Sequence, residues 1–385
     1  MTPVLSSEQQ SHFLQRGFSR RSFGRIAALM GAGATLPFYN ESAMAQLSQV
    51  RGMPADAVKI NANENPLGPC AEAIEAIQSV IKMGGRYSYE LTDEFQETLA
   101  SQSGVKPDYV RPFAGSSAPL HQSALGFCSP TKSFVMADPG YESGASAARF
   151  IGAKVVKVPL DKKTYAHDVK AMAAAAAESN AGLIYVCNPN NPSGTLTPDA
   201  DIDWLIENKP AASVLLLDEA YTHISGAKLR TDLVAKDKDV IILRTFSKIY
   251  GMAGLRAGAA IGRPDLLAKI TPYSSGALPI TGMAGATASL KSTSVVPERR
   301  KIMAATRNEV QSFFDKHGIK YVPSVSNKIM VDVGMPGDQV IMALRKEKVY
   351  IGRIWPVWPT HVRVSIGTPE EMAKFETAFL KVMSA

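Results

Sequence analysis

Four short runs of the chain carry almost no polar residue, and they limit what it can fold into. Residues 133–137, 182–187, 214–217 and 240–243 read SFVMA, GLIYVC, VLLL and VIIL. A strand with one wet face alternates apolar and polar side chains. An unbroken run belongs to a strand covered on both faces, as in a parallel sheet flanked by helices. Helical segments separate the runs, one after Tyr165 and another opening at Thr197-Pro198, an N-cap followed by proline in the first turn. Residues 71–82 and 92–101 also carry apolar side chains at helical spacing. The expectation is an α/β fold of βαβ units. Past about residue 272 the pattern changes to a long helix (298–317) and strand-like segments (328–333 and 361–366), which predict a smaller α+β domain. The domain reading is therefore 76–275 for a large domain, with 46–75 and 276–385 forming a small one. A chain of 385 residues, 45% of them hydrophobic, is long enough for both cores.

Residues 1–45 read as an address label rather than a fold. Ser19-Arg20-Arg21-Ser22-Phe23 is a twin-arginine pattern, a glycine-punctuated apolar stretch follows over 26–38, and Ala43-Met44-Ala45 has the small-x-small form of a cleavage site. The apolar stretch is shorter than the roughly 20 residues a membrane span needs. The expectation is export by the twin-arginine route to the periplasm, with no membrane anchor. Removing this segment takes away four arginines and two glutamates and lowers the formal net charge from +7 to +5. That is mild, and no basic run or aromatic-basic stripe is present, so a nucleic-acid partner is not expected. Cys70, Cys128 and Cys187 are scattered and odd in number, without metal-ligand spacing or a disulfide framework.

Chemistry concentrates where the apolar runs end. After 240–243 comes Thr245-Phe246-Ser247-Lys248-Ile249-Tyr250-Gly251-Met252-Ala253-Gly254-Leu255-Arg256. A lysine here projects from the carboxyl edge of the sheet, where α/β proteins place ligands. Thr245, Ser247 and Arg256 can converge on a phosphate, which arginine meets bidentately. The run 214–217 ends in Asp218-Glu219-Ala220-Tyr221. A buried aspartate needs a partner, and a protonated pyridine nitrogen is one that would turn its ring into an electron sink. The run 182–187 ends in Asn188-Pro189-Asn190-Asn191-Pro192-Ser193-Gly194, so Asn191 and Tyr221 could both reach a phenolate oxygen on that ring.

These motifs together resemble the fold type I, class I and II aminotransferases that use pyridoxal 5′-phosphate (PLP), and most of all the histidinol-phosphate aminotransferase branch, over essentially the whole mature chain. Further segments are similar to that family: residues 61–69 (NANENPLGP), the turn Gly115-Ser116-Ser117-Ala118, Tyr141 in ADPGY, Tyr87 in GRY and Arg363 in VRVSIGT. The resemblance implies a mainly parallel seven-stranded sheet in the large domain, and no metal. It implies that Ser116, Ser117 and Ala118 hold the cofactor phosphate at a helix N-terminus, with Thr245, Ser247 and Arg256 beside them. It implies Tyr141 stacked on the ring, Asn191 and Tyr221 on its oxygen, and Asp218 on its nitrogen. Lys248 would carry the cofactor as a Schiff base and move the substrate proton. Arg363 would grip the substrate α-carboxylate, Asn63 would line the substrate mouth, and Tyr87 would reach a neighbouring subunit's cofactor, implying a homodimer. Arg353, in Ile351-Gly352-Arg353-Ile354-Trp355-Pro356-Val357-Trp358, resembles the arginine that meets a substrate phosphate, and Trp355 and Trp358 could wall an aromatic side chain. The implied reaction moves an amino group between an amino acid and a 2-oxo acid of the 2-oxoglutarate kind. Decarboxylation, β-elimination or racemisation on the same scaffold, and a binding protein without turnover, are the rival readings.

Overall fold

The computed structural model describes residues 6–24, 26, 50, 52–274 and 276–384. The four apolar runs become β3 (Ser133–Asp138), β5 (Ala181–Cys187), β6 (Val214–Asp218) and β7 (Val240–Thr245) of one seven-stranded sheet. Its remaining strands are β2 (Val110–Phe113), β4 (Val155–Pro159) and β8 (Gly258–Gly262), and the spatial order is β2-β8-β7-β6-β5-β3-β4. Only β8 runs against its neighbours. Every residue of β5, β6 and β7 is buried, which is why their sequences do not alternate. Helices cover both faces, among them Ser117–Phe127, Val169–Glu178 and Asp199–Asn208.

The helix at 199–208 starts one residue later than the sequence predicts. Its N-cap is Pro198, not Thr197. The Thr197 hydroxyl is occupied elsewhere, bonding His167 Nδ1 at 2.7 Å and accepting from the His167 amide at 3.2 Å. Asp199 and Asp201 face the helix dipole in its first turn instead.

A second core gathers around the three-stranded antiparallel sheet β9 (Lys320–Val322), β10 (Lys328–Asp332) and β12 (His361–Ser365), and the parallel pair β1 (Val58–Ile60) with β11 (Val349–Ile351). Phe314, Ile329, Val331, Leu344, Val364, Phe375 and Phe379 are fully or almost fully buried there. The last helix, Pro369–Met383, opens with a reciprocal capping box: Thr368 Oγ1 accepts from the Glu371 amide at 3.2 Å, and Glu371 Oε2 accepts from the Thr368 amide at 2.8 Å. The helix Ile280–Lys291 packs on Ala71–Val80 and buries Met283 and Ala286 in the large core. The large core thus takes residues from before position 76 and from beyond 276.

At the N-terminus, the helix Ser7–Gln15 buries Phe13 with Phe18 and Ile26 against Ile151. Arg16 Nη2 donates to the carbonyls of Leu125, Gly126 and Cys128 at 2.7, 3.1 and 3.0 Å. The arginine pair sits in a single turn of 3₁₀ helix, Arg20–Ser22. Apart from Ile26, the apolar stretch at 26–38 and the pattern at 43–45 lie outside the described residues. Among the described residues no helix is long and apolar enough to cross a membrane. All three cysteines are free thiols.

One buried ion pair ties β7 to the turn after β6. Arg244 Nε donates to Glu219 Oε2 at 2.7 Å, and the two side chains are 7% and 2% exposed. Glu219 also accepts from the Arg230 amide at 2.7 Å. Removing one partner strands the other charge in the core, so Arg244→Met should cost about 3–5 kcal/mol in denaturant midpoint experiments. Arg244→Met combined with Glu219→Gln should recover part of that loss. A single-variant loss below about 1 kcal/mol would overturn this reading of the pair.

Candidate active site

β5, β6 and β7 run parallel and in step, with Cys187, Asp218 and Leu243 abreast. The chain therefore leaves all three strands on one edge, and the segments carrying Asn191, Tyr221 and Lys248 meet there. A cavity of about 290 Å³ opens at that edge. Its wall includes Asn63, Ser116, Ser117, Tyr141, Asn191, Asp218, Tyr221, Thr245, Ser247, Lys248, Arg256, Arg353 and Arg363. Two of the predicted site residues stand outside this wall. Ala118 lies one position further into its helix and packs on the large core. Tyr87 is 70% exposed and stacks on Tyr89 with ring centroids 5.8 Å apart.

Asp218 is buried at the floor of the cavity. Tyr185 Oη donates to its Oδ2 at 2.9 Å and the Ala220 amide to its Oδ1 at 3.1 Å. Burial nonetheless pushes the carboxyl up to about 6, because these two donors return less than the water it lost. Lys248 is shifted the other way. Burial, helped by the Arg363 charge, lowers its amine to about 8, and its Nζ donates to the Ala62 carbonyl at 3.5 Å.

A second group of side chains forms a cradle of donors. Ser116 and Ser117 open the helix Ser117–Phe127, where backbone amides and the helix dipole favour an anion. Thr245 Oγ1 donates to Ser247 Oγ at 3.0 Å and accepts from the Ser247 amide at 3.2 Å. Arg256 is held by the carbonyls of Ala253 and Ala114 at 2.8 and 3.0 Å. Gly115 has φ +92°, a backbone conformation that favours glycine, and a Cβ there would lie 2.5 Å from Arg256 Nη2, so a side chain would push the guanidinium from its place.

Arg363, on β12, reaches across from the second core. Its Nη1 donates to Asn191 Oδ1 at 3.1 Å and its Nη2 to the Asn61 carbonyl at 2.8 Å. Asn63 Nδ2 donates to Tyr221 Oη at 3.2 Å, and Ser365 Oγ donates to Asn63 Oδ1 at 2.9 Å. The Trp355 ring, fully buried, lies 4.1 Å from the Arg353 guanidinium and 5.5 Å from that of Arg363. Trp358 packs beside Tyr165 and His361.

Sequence reasoning missed several residues that shape this site. Tyr185 lay inside an apolar run and read as core. Glu142 binds Arg353, with Arg353 Nη2 donating to its Oε2 at 2.9 Å. Asn327 Nδ2 donates to the Asn63 carbonyl at 3.0 Å. Lys328 is fully buried with its Nζ 3.2 Å from the centre of the Tyr221 ring, donating to Ser326 Oγ at 2.8 Å. The one visible signal for Lys328 was a lysine opening a strand whose next three residues are apolar.

The residues present fit PLP. The donor cradle suits a phosphate dianion, and the buried Asp218 carboxylate suits a protonated ring nitrogen. Asn191 and Tyr221 suit the ring oxygen, Tyr141 the ring face, and the lysine amine the aldehyde. Among the described residues, no group of histidine, cysteine and acidic side chains could hold a metal ion.

Comparison with known proteins agrees with this chemistry. Residues 55–379 match the family model of aminotransferase class I and II. The histidinol-phosphate aminotransferase of Moorella thermoacetica is 32% identical over 371 residues, covering 91% of this chain and 94% of that protein. That of Symbiobacterium thermophilum is 33% identical over 329 residues, covering 84% and 90%. Among solved structures, the histidinol-phosphate aminotransferase of Sinorhizobium meliloti in complex with PLP matches with a TM-score of 0.81 at 24% identity, over 91% of this chain and 98% of that one. The aspartate aminotransferase of Thermus thermophilus with maleate matches with a TM-score of 0.76 at 20% identity, over 92% and 98%.

Asp218 should reveal itself in the pH dependence of stability. Its native pKa lies above the ordinary 3.8, so between about pH 4 and 6 the native chain keeps a proton that the unfolded chain has released. Raising the pH through that window should therefore destabilise the cofactor-free protein by about 3 kcal/mol relative to Asp218→Asn. Urea midpoints of the two proteins across the window measure this, and adding PLP should remove the difference. A constant gap between them would overturn the assignment.

Proposed function

The chain belongs to the class I and II aminotransferases, enzymes that depend on PLP, and from that membership we propose that it moves an amino group from a small amino acid to a 2-oxo acid of the 2-oxoglutarate kind, with Lys248 as its base. The observation that carries this reading is the meeting of three groups in one cavity: the Lys248 amine, the buried Asp218 carboxylate and the Arg363 guanidinium. The 2-oxoglutarate-like acceptor also draws on the likeness to histidinol-phosphate aminotransferases.

When bound, PLP supplies a carbonyl for the substrate amine and a protonated ring that draws electrons from the substrate Cα. The chain's own groups do the rest. Ser116, Ser117, Thr245, Ser247 and Arg256 would hold the phosphate. Asp218 would keep the ring nitrogen protonated, its ionised form favoured once that cation adjoins it. Tyr141 would lie on the ring, and Asn191 and Tyr221 would face its oxygen. Arg363, braced by Asn191 and the Asn61 carbonyl, would bind the α-carboxylate and so set the direction of the Cα–H bond. Lys248 would take that proton and return it. An amine lowered to about 8 is partly neutral near neutral pH, which is what a base there requires. Trp355, packed against both guanidiniums, keeps water from their flanks.

Two further parts of the proposal concern the setting. Leu67, Ile74, Ile81, Met83, Tyr87 and Tyr89 are all exposed and lie within one short stretch of sequence. Such exposure supports a homodimer in which these residues meet a second copy, with Tyr87 reaching its cofactor site. The Ser19–Phe23 motif, with the apolar and small-residue patterns after it, supports export to the periplasm by the twin-arginine route.

Borohydride reduction of the purified enzyme should attach PLP to the single tryptic peptide containing Lys248, as read by mass spectrometry. Attachment at another lysine would sink the assignment. Arg20→Lys with Arg21→Lys should leave folded, yellow protein in the cytoplasm. Wild-type amounts in the periplasm of cells making that double variant would refute the export signal.

A further inference from the structure

Glu142 is an acid paired with an arginine of the cavity wall. It directly follows Tyr141, and its Oε2 accepts from Arg353 Nη2 at 2.9 Å. Arg353 is 5% exposed and lines the same cavity as Lys248 and Arg363. Its Nη1 is buried with no hydrogen-bond partner. Of its two terminal nitrogens, one is therefore used by the protein's own carboxylate and the other by nothing. The Trp355 ring 4.1 Å from its Cζ holds the group in place. Glu142 in turn has a second cation within reach. Its Oε1 lies 3.9 Å from Lys157 Nζ, which also contacts Asp138 Oδ1 at 3.2 Å, and the Lys157 side chain is a third exposed.

An aminotransferase passes two substrates through one site, and their side chains need not carry the same charge. A bare guanidinium would suit an acceptor with a distal carboxylate. It would stand buried and uncompensated under a donor with a neutral side chain. A fixed salt bridge would have the opposite fault. We propose that Glu142 is a specificity-determining residue, an internal carboxylate that neutralises Arg353 under neutral side chains and shifts toward Lys157 when a substrate's distal carboxylate takes its place. The orphaned Nη1 is the point where the incoming carboxylate first bonds. Bidentate capture of the guanidinium then displaces Glu142 onto the partly solvated lysine, where an acid is less costly to hold. This inference rests on the reading that Arg353 faces the substrate side chain.

Calorimetric titration of the holoenzyme with succinate and butyrate separates the two ideas, since these four-carbon acids differ only in the distal carboxylate. Glu142→Gln should tighten succinate about tenfold or more and shift butyrate less than about twofold, the gain being that of a charge-assisted bond no longer contested. Glu142→Ala should move succinate in the same direction. Lys157→Met should weaken succinate several-fold in the native chain and have no effect on top of Glu142→Gln, because no carboxylate then needs a second partner. Arg353→Ala should abolish the preference for succinate over butyrate. If both Glu142 variants leave succinate unchanged or weaker while Arg353→Ala still abolishes the preference, Glu142 merely braces the arginine and the proposal is overturned. If Arg353→Ala leaves the preference intact, it is the side-chain reading of Arg353 that fails, and the role given to Glu142 fails with it. Melting curves and the cofactor absorption band show whether each variant is folded and loaded.

Discussion

Burying the Asp218 carboxylate at the end of β6 takes a charge out of water, and the Tyr185 hydroxyl and Ala220 amide return only part of what water supplied. The remaining deficit is what the site is organised to use. A cation brought to Asp218 from outside would recover it, and the ring nitrogen of PLP would be such a cation. The sheet enforces this arrangement. β5 and β7 flank β6 in parallel, so the segments after all three strands meet at the Asp218 end, and the Lys248 charge that arrives there offsets only part of the cost of burying the carboxylate. Tyr185 reaches it from β5 as a neutral donor, which orients the carboxylate without neutralising it.

The substrate end of the site depends on both cores. Arg363 comes from β12, yet its partners are Asn191, at the end of β5, and the carbonyl of Asn61, next to β1. Asn63 ties Ser365 and Asn327 to Tyr221. Any movement of the second core against the first would therefore be felt at Arg363 and at Tyr221 together. These bonds lie among residues that are at most 6% exposed, where each missing partner leaves a desolvated polar group behind. The network is stiff for that reason, and stiffness is what orienting a Cα–H bond requires.

The central strands were legible in the sequence because burial on both faces leaves no polar residue to interrupt them. The chemistry was legible because Lys248, Asp218 and Asn191 follow directly where those strands stop. Other parts left weaker marks. β8 reads GAAIG, which has too little bulk to stand out as a strand, and the proline in β2 argues against one even though that strand sits at the sheet edge, where proline is tolerated. Thr197 looked like an N-cap because a local rule ignores His167, thirty positions away, which claims its hydroxyl. Tyr185, Glu142 and Lys328 are defined by what they touch. No spacing in the sequence links Glu142 to Arg353 or Lys328 to Tyr221. The helix at Ser7–Gln15 carries a complete capping box from Ser6 to Gln9, a signal that was present but read as part of an address label.

The charges around Lys248 show why the same residues that hold ligands also set its strength as a base. Arg363, Arg256 and the buried Lys328 stand near it on the positive side, with Asp218 and Glu64 on the negative. Burial lowers the Lys248 amine first, and the Arg363 and Arg256 charges lower it further. Lys328 feels the same surroundings more strongly, and burial holds its amine well below the ordinary lysine range. The cavity thus carries an excess of positive charge, and in the proposed reaction it would meet two anions, the cofactor phosphate and the substrate carboxylate. Each of them removes part of the repulsion that weakens Lys248 as a base. Filling the site should therefore raise the pKa of Lys248 again, so that ligand binding and proton transfer draw on one electrostatic balance.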